Sequence, residues 1–267
     1  MAFFNYKPSY GTKIFKGEWV GLKFFSDLFS DDIFLRVIRN TLAMSILKTI
    51  FGFTAAIILA LMINEIKNSF YKRIVQTVSY LPHFISWVVA ASIITSVLSY
   101  DGVFNELLVR LGIIGEPVIW LGKSSYFWWI IAFTDVWKEV GWNAIIYLGT
   151  MTGISPSLYE SAEMDGATRL QKIMYINLPS IVPMISLMLI IQCGFLLNAG
   201  FEQQWLLSNP SVKDTSDVID LFVIQYGIAL GRYSYATAAG IFKSIVSIIL
   251  LFGANTVSKK LTGERLI

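Results

Sequence analysis

The chain has 267 residues and a mass of 30.1 kDa; 55% of its residues are hydrophobic, 15% aromatic and only 15% charged, and the mean hydropathy is +0.62. Soluble domains carry about 25% charged residues, so the deficit points to lipid and argues against disorder, an ordinary soluble enzyme or a nucleic-acid-binding domain. The net charge of +3 is small and scattered, which fits no polyanion partner, and one Cys193 with one His83 supplies neither a disulfide framework nor a His/Cys metal cluster.

In chain order, residues 1–40 come first and carry Lys7, Lys13, Lys16, Lys23, Arg36 and Arg39, with no basic start and apolar run of the signal-peptide kind. A bilayer core about 30 Å thick needs about 20 apolar residues in a helix. Runs of that length occur at 41–63, 74–99, 126–151, 180–201 and 235–258. The first contains Lys48, the third Asp135, Lys138 and Glu139, and the fifth Lys243, while the second and fourth are uncharged. Helices are the expected form, because an open sheet leaves backbone groups unpaired in hydrocarbon. The expected fold is therefore an all-α polytopic transmembrane bundle, with a membrane domain over 41–258.

Orientation follows from the basic residues at the span ends. Lys67, Lys72 and Arg73 follow the first run, Arg169 and Lys172 follow the third, and Lys259, Lys260 and Arg265 lie in the tail. These segments share the cytoplasmic side, so 259–267 is a cytoplasmic tail. The loops holding Asp101, Glu106 and Glu116, and Asp214, Asp217 and Asp220, face outside. Within them, 103–111 and 218–230 have two-faced helical patterns too short to span, which fits helices resting at the interface. Five spans leave 1–40 outside with no export signal, so a sixth, upstream span is expected.

The cytoplasmic loop 153–179 is the most informative segment. Ser155 before Pro156 is a helix start, and Ser157 with Glu160 fits a capping box in another register. Gly166 can take the left-handed backbone that ends a short helix, and a second helix carrying Arg169 and Lys172 is expected to run until Leu178 and Pro179 turn the chain back to the membrane. By spacing alone, such a loop could also be an ordinary polar connection.

The charges of the third run form a second feature. Asp135, Lys138, Glu139 and Trp142 fall at i, i+3, i+4 and i+7, on one helical face. A charge at bilayer depth costs about 2.5–3.5 kcal/mol on insertion scales, so this face should meet protein or a wet cavity. Carboxylates accept hydroxyl protons and an indole can stack on a pyranose ring, which fits a sugar path. The alternative is that Asp135 and Glu139 neutralise Lys138, and also Lys243 or Lys48, to hold the bundle together; Lys48 could instead snorkel. Gly122-Lys-Ser124 imitates the end of a phosphate-binding loop, but Pro117 stands where the first glycine is required. His83, beside Pro82, reads as a hydrogen-bonded kink residue.

Glu160-Ser161-Ala162, then Gly166, Ile176, Leu178 and Pro179, stand at the spacing of the signature Glu-Ala-Ala, three residues, Gly, nine residues, Ile, one residue, Leu-Pro, with Ser161 the one departure. This resembles the inner-membrane permeases of binding-protein-dependent ABC importers. Glu18-Trp-Val-Gly-Leu-Lys-Phe-Phe25, Arg39-Asn-Thr41, Ser79-Tyr-Leu-Pro-His-Phe-Ile-Ser-Trp87, Asn198-Ala-Gly-Phe-Glu-Gln203 and Tyr233-Ser-Tyr-Ala-Thr-Ala238 look like the sugar-importer branch, among the permeases for polysaccharide-derived oligosaccharides. Members of that branch have a helix ahead of the Trp-Val-Gly-Leu stretch, which agrees with an upstream span.

The resemblance implies a transport subunit of the cell membrane with no catalytic residue, metal or cofactor of its own. Its implied partners are cytoplasmic ABC ATPase subunits, a second and non-identical permease, an extracytoplasmic solute-binding protein, an oligosaccharide and membrane lipid. Glu160, Ser161, Ala162, Asp165, Gly166, Ile176, Leu178 and Pro179 are then the ATPase-docking residues, with Glu160 pairing with a basic residue of the ATPase. Asp135, Glu139, Trp142 and Gln192 occupy positions similar to sugar-contacting ones. The competing expectation is a proton-coupled secondary transporter using Asp135 and Glu139 as a relay.

Overall fold

The computed structural model describes residues 1–262, apart from the side chains of Ile14, Val257 and 259–262; the basic side chains Lys259, Lys260 and Arg265 of the tail lie outside the described residues. Nearly all of the regular structure is helical. After a short antiparallel pair, β1 (Phe4–Asn5) and β2 (Glu18–Trp19), come α1 (Lys23–Phe29), α2 (Asp32–Asn64), α3 (Ser69–Phe84), α4 (Trp87–Val97) and α5 (Val103–Arg110). They are followed by α6 (Ser124–Met151), α7 (Pro156–Met164), α8 (Arg169–Lys172), α9 (Leu178–Gly194), α10 (Glu202–Leu207), α11 (Lys213–Ser216), α12 (Ile219–Ile224) and α13 (Tyr233–Thr262).

Among the described residues, three helical stretches are long and apolar enough to cross a membrane, Asp32–Asn64, Arg169–Gly194 and Tyr233–Thr256, and the bent pair α3 and α4 makes a fourth if it counts as one span. The run at 74–99 is not one helix. Ile85, in extended backbone, ends α3, and α4 starts two residues later. Pro82 lies inside α3 and leaves a helix already short of one amide donor near this break. The third run does form one continuous helix, α6, but its three charges keep it out of the purely apolar class. The first run belongs to a helix that begins at Asp32, ahead of the expected start of the span.

Pro179 does not turn the chain back as expected. Helix continues from α8 through a π-helical segment, Ile173–Asn177, into α9. A proline ring crowds the carbonyl four residues before it, and a wider turn relieves that crowding.

The chain separates into two compact units. The first comprises Met1–Leu47, Trp87–Ile131 and Cys193–Gly253. Here the N-terminal segment is sewn to α13: the Ser234 hydroxyl donates to the Phe4 carbonyl at 2.7 Å and accepts from the Tyr6 amide at 3.0 Å, and the Tyr235 hydroxyl donates to Asp31 Oδ2 at 2.7 Å. Asn40 and Thr41, both fully buried, hold the segment ahead of α12. Asn40 Nδ2 donates to the carbonyls of Asp214 (2.9 Å) and Asp217 (3.1 Å), and Thr41 Oγ1 accepts from the Ile219 amide at 3.0 Å. Phe34, Val37, Ile219, Phe222, Tyr235 and Ala239 make the apolar core beside these bonds. Lys243 of α13 pairs with Asp220 at the start of α12 and donates to Asn198 Oδ1 at 3.3 Å. A span with no carboxylate of its own thus obtains one from the segment expected outside.

The second unit holds Lys48–Ser86 and Ala132–Gln192, with the described residues 254–262. Ala56, Ala60 and Ile63 on one face of α2 pack with Ala144, Tyr147, Leu148 and Met151 of α6 and Ile181 of α9. Small residues let helix backbones approach where lipid gives no hydrophobic drive to associate. The closest approach is at Gly141 of α6, where an added Cβ would stand 2.0 Å from the Ser79 carbonyl oxygen of α3.

Candidate functional site

Two sites marked in the sequence lie in the second unit. The first is built on α6 against α3. Because α3 is pressed to Gly141, its last turn reaches the charged face of α6. Lys138 is only 4% exposed, and its ammonium donates to the His83 carbonyl at 2.8 Å and to Glu139 Oε1 at 3.2 Å. A broken helix leaves its last carbonyls without intrahelical donors. The buried ammonium supplies one of them. Glu139 Oε2 lies 2.6 Å from His83 Nδ1, and the imidazole stacks on the Trp142 indole with ring centroids 4.4 Å apart and 4° between planes. His83 is therefore the hydrogen-bonded residue at the end of a broken helix.

Asp135, one turn before Glu139, pairs with Lys48 of α2 at 2.8 Å. Lys48 does not snorkel; its stem carries the ammonium to the Asp135 carboxylate inside the bundle. Gln192 donates to Thr49 Oγ1 at 3.4 Å, next to Lys48 on α2. The ammonium groups sit deepest, with Lys138 and Lys48 side chains 5% and 12% exposed against 22–26% for Asp135 and Glu139. The accessible part of this face is thus carboxylate oxygen together with the Trp142 indole, which is 43% exposed although His83 stacks on it and Phe84 lies edge-on at 5.8 Å. Such groups accept hydroxyl protons and stack on apolar ring faces.

The second site is the loop after α6. Pro156 occupies the first turn of α7, but the Ser155 hydroxyl caps no amide and instead meets Ser157 Oγ at 2.8 Å. The capping box is found elsewhere: Thr168 accepts from the Gln171 amide and Gln171 Oε1 from the Thr168 amide, which starts α8. Between the two helices Gly166 has φ +73°, a backbone that a side chain would strain, with open space where a Cβ would point. Lys172 donates to Glu163 Oε1 at 2.6 Å and closes the helix pair. That hydrogen bond first, and then the charge of Lys172, hold the Glu163 carboxyl below its usual range.

Glu160, Ser161, Asp165, Gly166 and Pro179 are exposed, and Ala162, Ile176 and Leu178 are half-buried. Met164 at 89% and Leu170 and Tyr175 nearby are exposed large apolar side chains beside a hollow of about 290 Å³ lined in part by Ala162, Gly166, Lys172 and Tyr175.

Residues 52–263 match the family described as binding-protein-dependent transport system inner membrane component. Protein LplB of Bacillus subtilis (strain 168) is 42% identical over 267 residues, covering 100% of this chain and 83% of its own. The polygalacturonan/rhamnogalacturonan transport system permease protein YteP of the same organism is 40% identical over 265 residues, covering 99% and 81%. A solved bacterial alginate ABC transporter, in complex with alginate pentasaccharide-bound periplasmic protein, has a chain that superposes with a TM-score of 0.88 at 40% identity, covering 100% of this chain and 88% of that one. The chain belongs to the family of binding-protein-dependent transport system inner membrane components. It is a transport permease of the inner membrane, and the proton-coupled secondary transporter is set aside on that ground.

Proposed function

We propose that this chain is one of two non-identical permease subunits of an ATP-driven importer, and that it passes an oligosaccharide from an extracytoplasmic binding protein to the cytoplasm. ATP hydrolysis belongs to separate cytoplasmic ATPase subunits, which seat on the loop 153–179. The relatives are named for transport of polygalacturonan/rhamnogalacturonan and alginate, which supports a polysaccharide-derived oligosaccharide here. In this reading 1–40 lies outside, 41–258 is the permease domain and 259–267 faces the cytoplasm. ATP binding favours a closed ATPase pair, the loops are drawn together, and the cavity turns outward until hydrolysis resets it.

The observation that carries the reading is the helix, left-handed glycine and helix of the loop, closed by Glu163 and Lys172 and rimmed by exposed Met164. Replacing Gly166 with Val forces a β-branched residue into φ +73°, at a cost of about 1–2 kcal/mol or more. The expected result is a permease that reaches the membrane at normal amounts, retains its ATPase subunits poorly on purification and loses most transport. Normal retention together with normal uptake would remove the docking role.

For the sugar path, the reading rests on the 43% exposed Trp142 and on Asp135 and Glu139 on the same face of α6, with Gln192 bonded to Thr49 next to Lys48, the partner of Asp135. Trp142→Ala removes a stacking surface worth about 0.5–1.5 kcal/mol beyond its buried area without creating an unpaired charge. Assembly should persist while the apparent KM for sugar rises several-fold. Asp135→Asn separates binding from bundle support, and Lys48, not Lys138, is the partner to change with it. If Asp135 serves only to balance Lys48, the Asn variant assembles poorly and Asp135→Asn with Lys48→Gln recovers. If it contacts sugar, the single variant assembles and its selectivity changes.

A further inference from the structure

The docking loop meets the membrane helices at a polar joint centred on a buried asparagine. Asn177 closes the π-helical segment and is fully buried. Tyr159, the residue before Glu160 on α7, donates its hydroxyl to Asn177 Oδ1 at 2.5 Å. Asn177 Nδ2 donates in turn to Glu65 Oε1 at 3.5 Å, just beyond the end of α2, and Asn64 and Glu65 both stand close to the phenol. Three elements therefore meet at this point: the cytoplasmic end of α2, the docking helix α7, and the helix that continues into α9.

We propose that Tyr159 and Asn177 are positioning residues for ATPase docking. Their hydrogen bond, from the half-buried Tyr159 to the fully buried Asn177, sets the angle at which α7 stands off the membrane helices, so that the exposed rim arrives at the ATPase already oriented. The inference rests on the docking role of the loop. A hydrogen bond is directional, and a buried acceptor such as Asn177 Oδ1 is penalised when it loses its donor, so the pair selects one arrangement of α7 where apolar packing would allow sliding. Its position fits that task. Tyr159 adjoins the exposed Glu160 on one side of the joint, and Asn177 adjoins Leu178, which packs into the apolar core of this unit, on the other. Preorganisation of this kind strengthens binding by reducing what must be ordered on contact.

The test uses the full-length permease, purified, with its ABC ATPase subunit titrated onto it in the absence of sugar. Tyr159→Phe keeps the ring and removes only the hydroxyl, and Tyr159→Phe with Asn177→Leu removes both polar partners. ATPase affinity should fall about fivefold in each, which is about 1 kcal/mol at 1.4 kcal/mol per tenfold. Thermal stability should fall in the single variant, where the Asn177 oxygen is left without its donor, and recover in part in the double one, where what is lost is the long 3.5 Å bond to Glu65. The KM for ATP of the assembled complex should not move, because the nucleotide site lies on the other chain. Unchanged affinity in Tyr159→Phe overturns the proposal. So does a double variant in which affinity recovers along with stability, since the bond would then be structural only. If wild-type permease fails to bind the ATPase, the docking reading itself fails and takes this proposal with it; if wild type binds and the variants match it, only the joint is refuted.

Discussion

Gly141→Ala should prevent α3 and α6 from closing and should leave little folded permease in the membrane. The new methyl would lie 2.0 Å from the Ser79 carbonyl oxygen, 2.4 Å from its carbon and 2.9 Å from the Tyr80 nitrogen, all of them backbone. A flexible side chain could swing away, but a helix backbone cannot, so α3 must retreat by about 1 Å or more to restore ordinary contact distances. Overpacking typically costs about 1–3 kcal/mol, and a rigid neighbour on both sides places this change at the top of that range or beyond it. The same retreat draws His83 away from Glu139 and Trp142 one turn later. Gly149, on the same helix with nothing within 4 Å of an added Cβ, is the control. There alanine should stabilise by up to about 1 kcal/mol through helix propensity. Membrane yield and thermal unfolding in detergent measure both, and equal behaviour of the two variants would disprove the close approach.

Lys138→Met should be nearly as damaging for a different reason. Methionine is close in length and apolar, so packing is largely kept while the ammonium is lost. That leaves the His83 carbonyl and Glu139 Oε1 without the donor now 2.8 and 3.2 Å away. Breaking a buried pair by removing one partner costs about 3–5 kcal/mol, because the remaining charge stays desolvated. Glu139→Gln in the Lys138→Met background should restore part of that loss, since a neutral amide tolerates the site better than a carboxylate left with His83 as its partner. Thermal unfolding of the four combinations gives the coupling energy directly. A loss under about 1 kcal/mol for Lys138→Met would mean that the pair behaves as a surface salt bridge.

Much of the fold was legible because membrane helices report themselves locally. Thr41 through Ile63 and Tyr235 onward read as spans by length and composition alone, and both lie in long helices. Gly166 was legible for a similar reason: a short helix that ends and restarts within a few residues needs a backbone that glycine adopts without strain, and φ is +73° there. The break after Phe84 was not legible. An apolar run records that its residues avoid water, whether the backbone is one helix or two, and Pro82 marked strain near the break without giving its form. Ser157 and Glu160 looked like a capping box, yet that geometry belongs to Thr168 and Gln171, because both pairs have suitable spacing and only one starts at an extended residue ahead of a fresh helix.

The candidate sites divide along the same line. The sequence by itself determined that Asp135, Lys138, Glu139 and Trp142 share a face, since 3.6 residues per turn is a property of the helix and requires no neighbour. It determined equally that a polar helix pair bearing Glu160 and Gly166 projects between two membrane runs. Only the tertiary structure decided the partners: Lys48 for Asp135, His83 for Glu139 and Trp142, Asp220 for Lys243, and Asn177 for Tyr159. Nothing in the sequence singles out Gly141; the approach of α3 to it does. Helix period and turn conformation are set by bonds a few residues long. Which ammonium meets which carboxylate depends on the distance between helices far apart in the chain, and that distance is set by the packing of the whole unit.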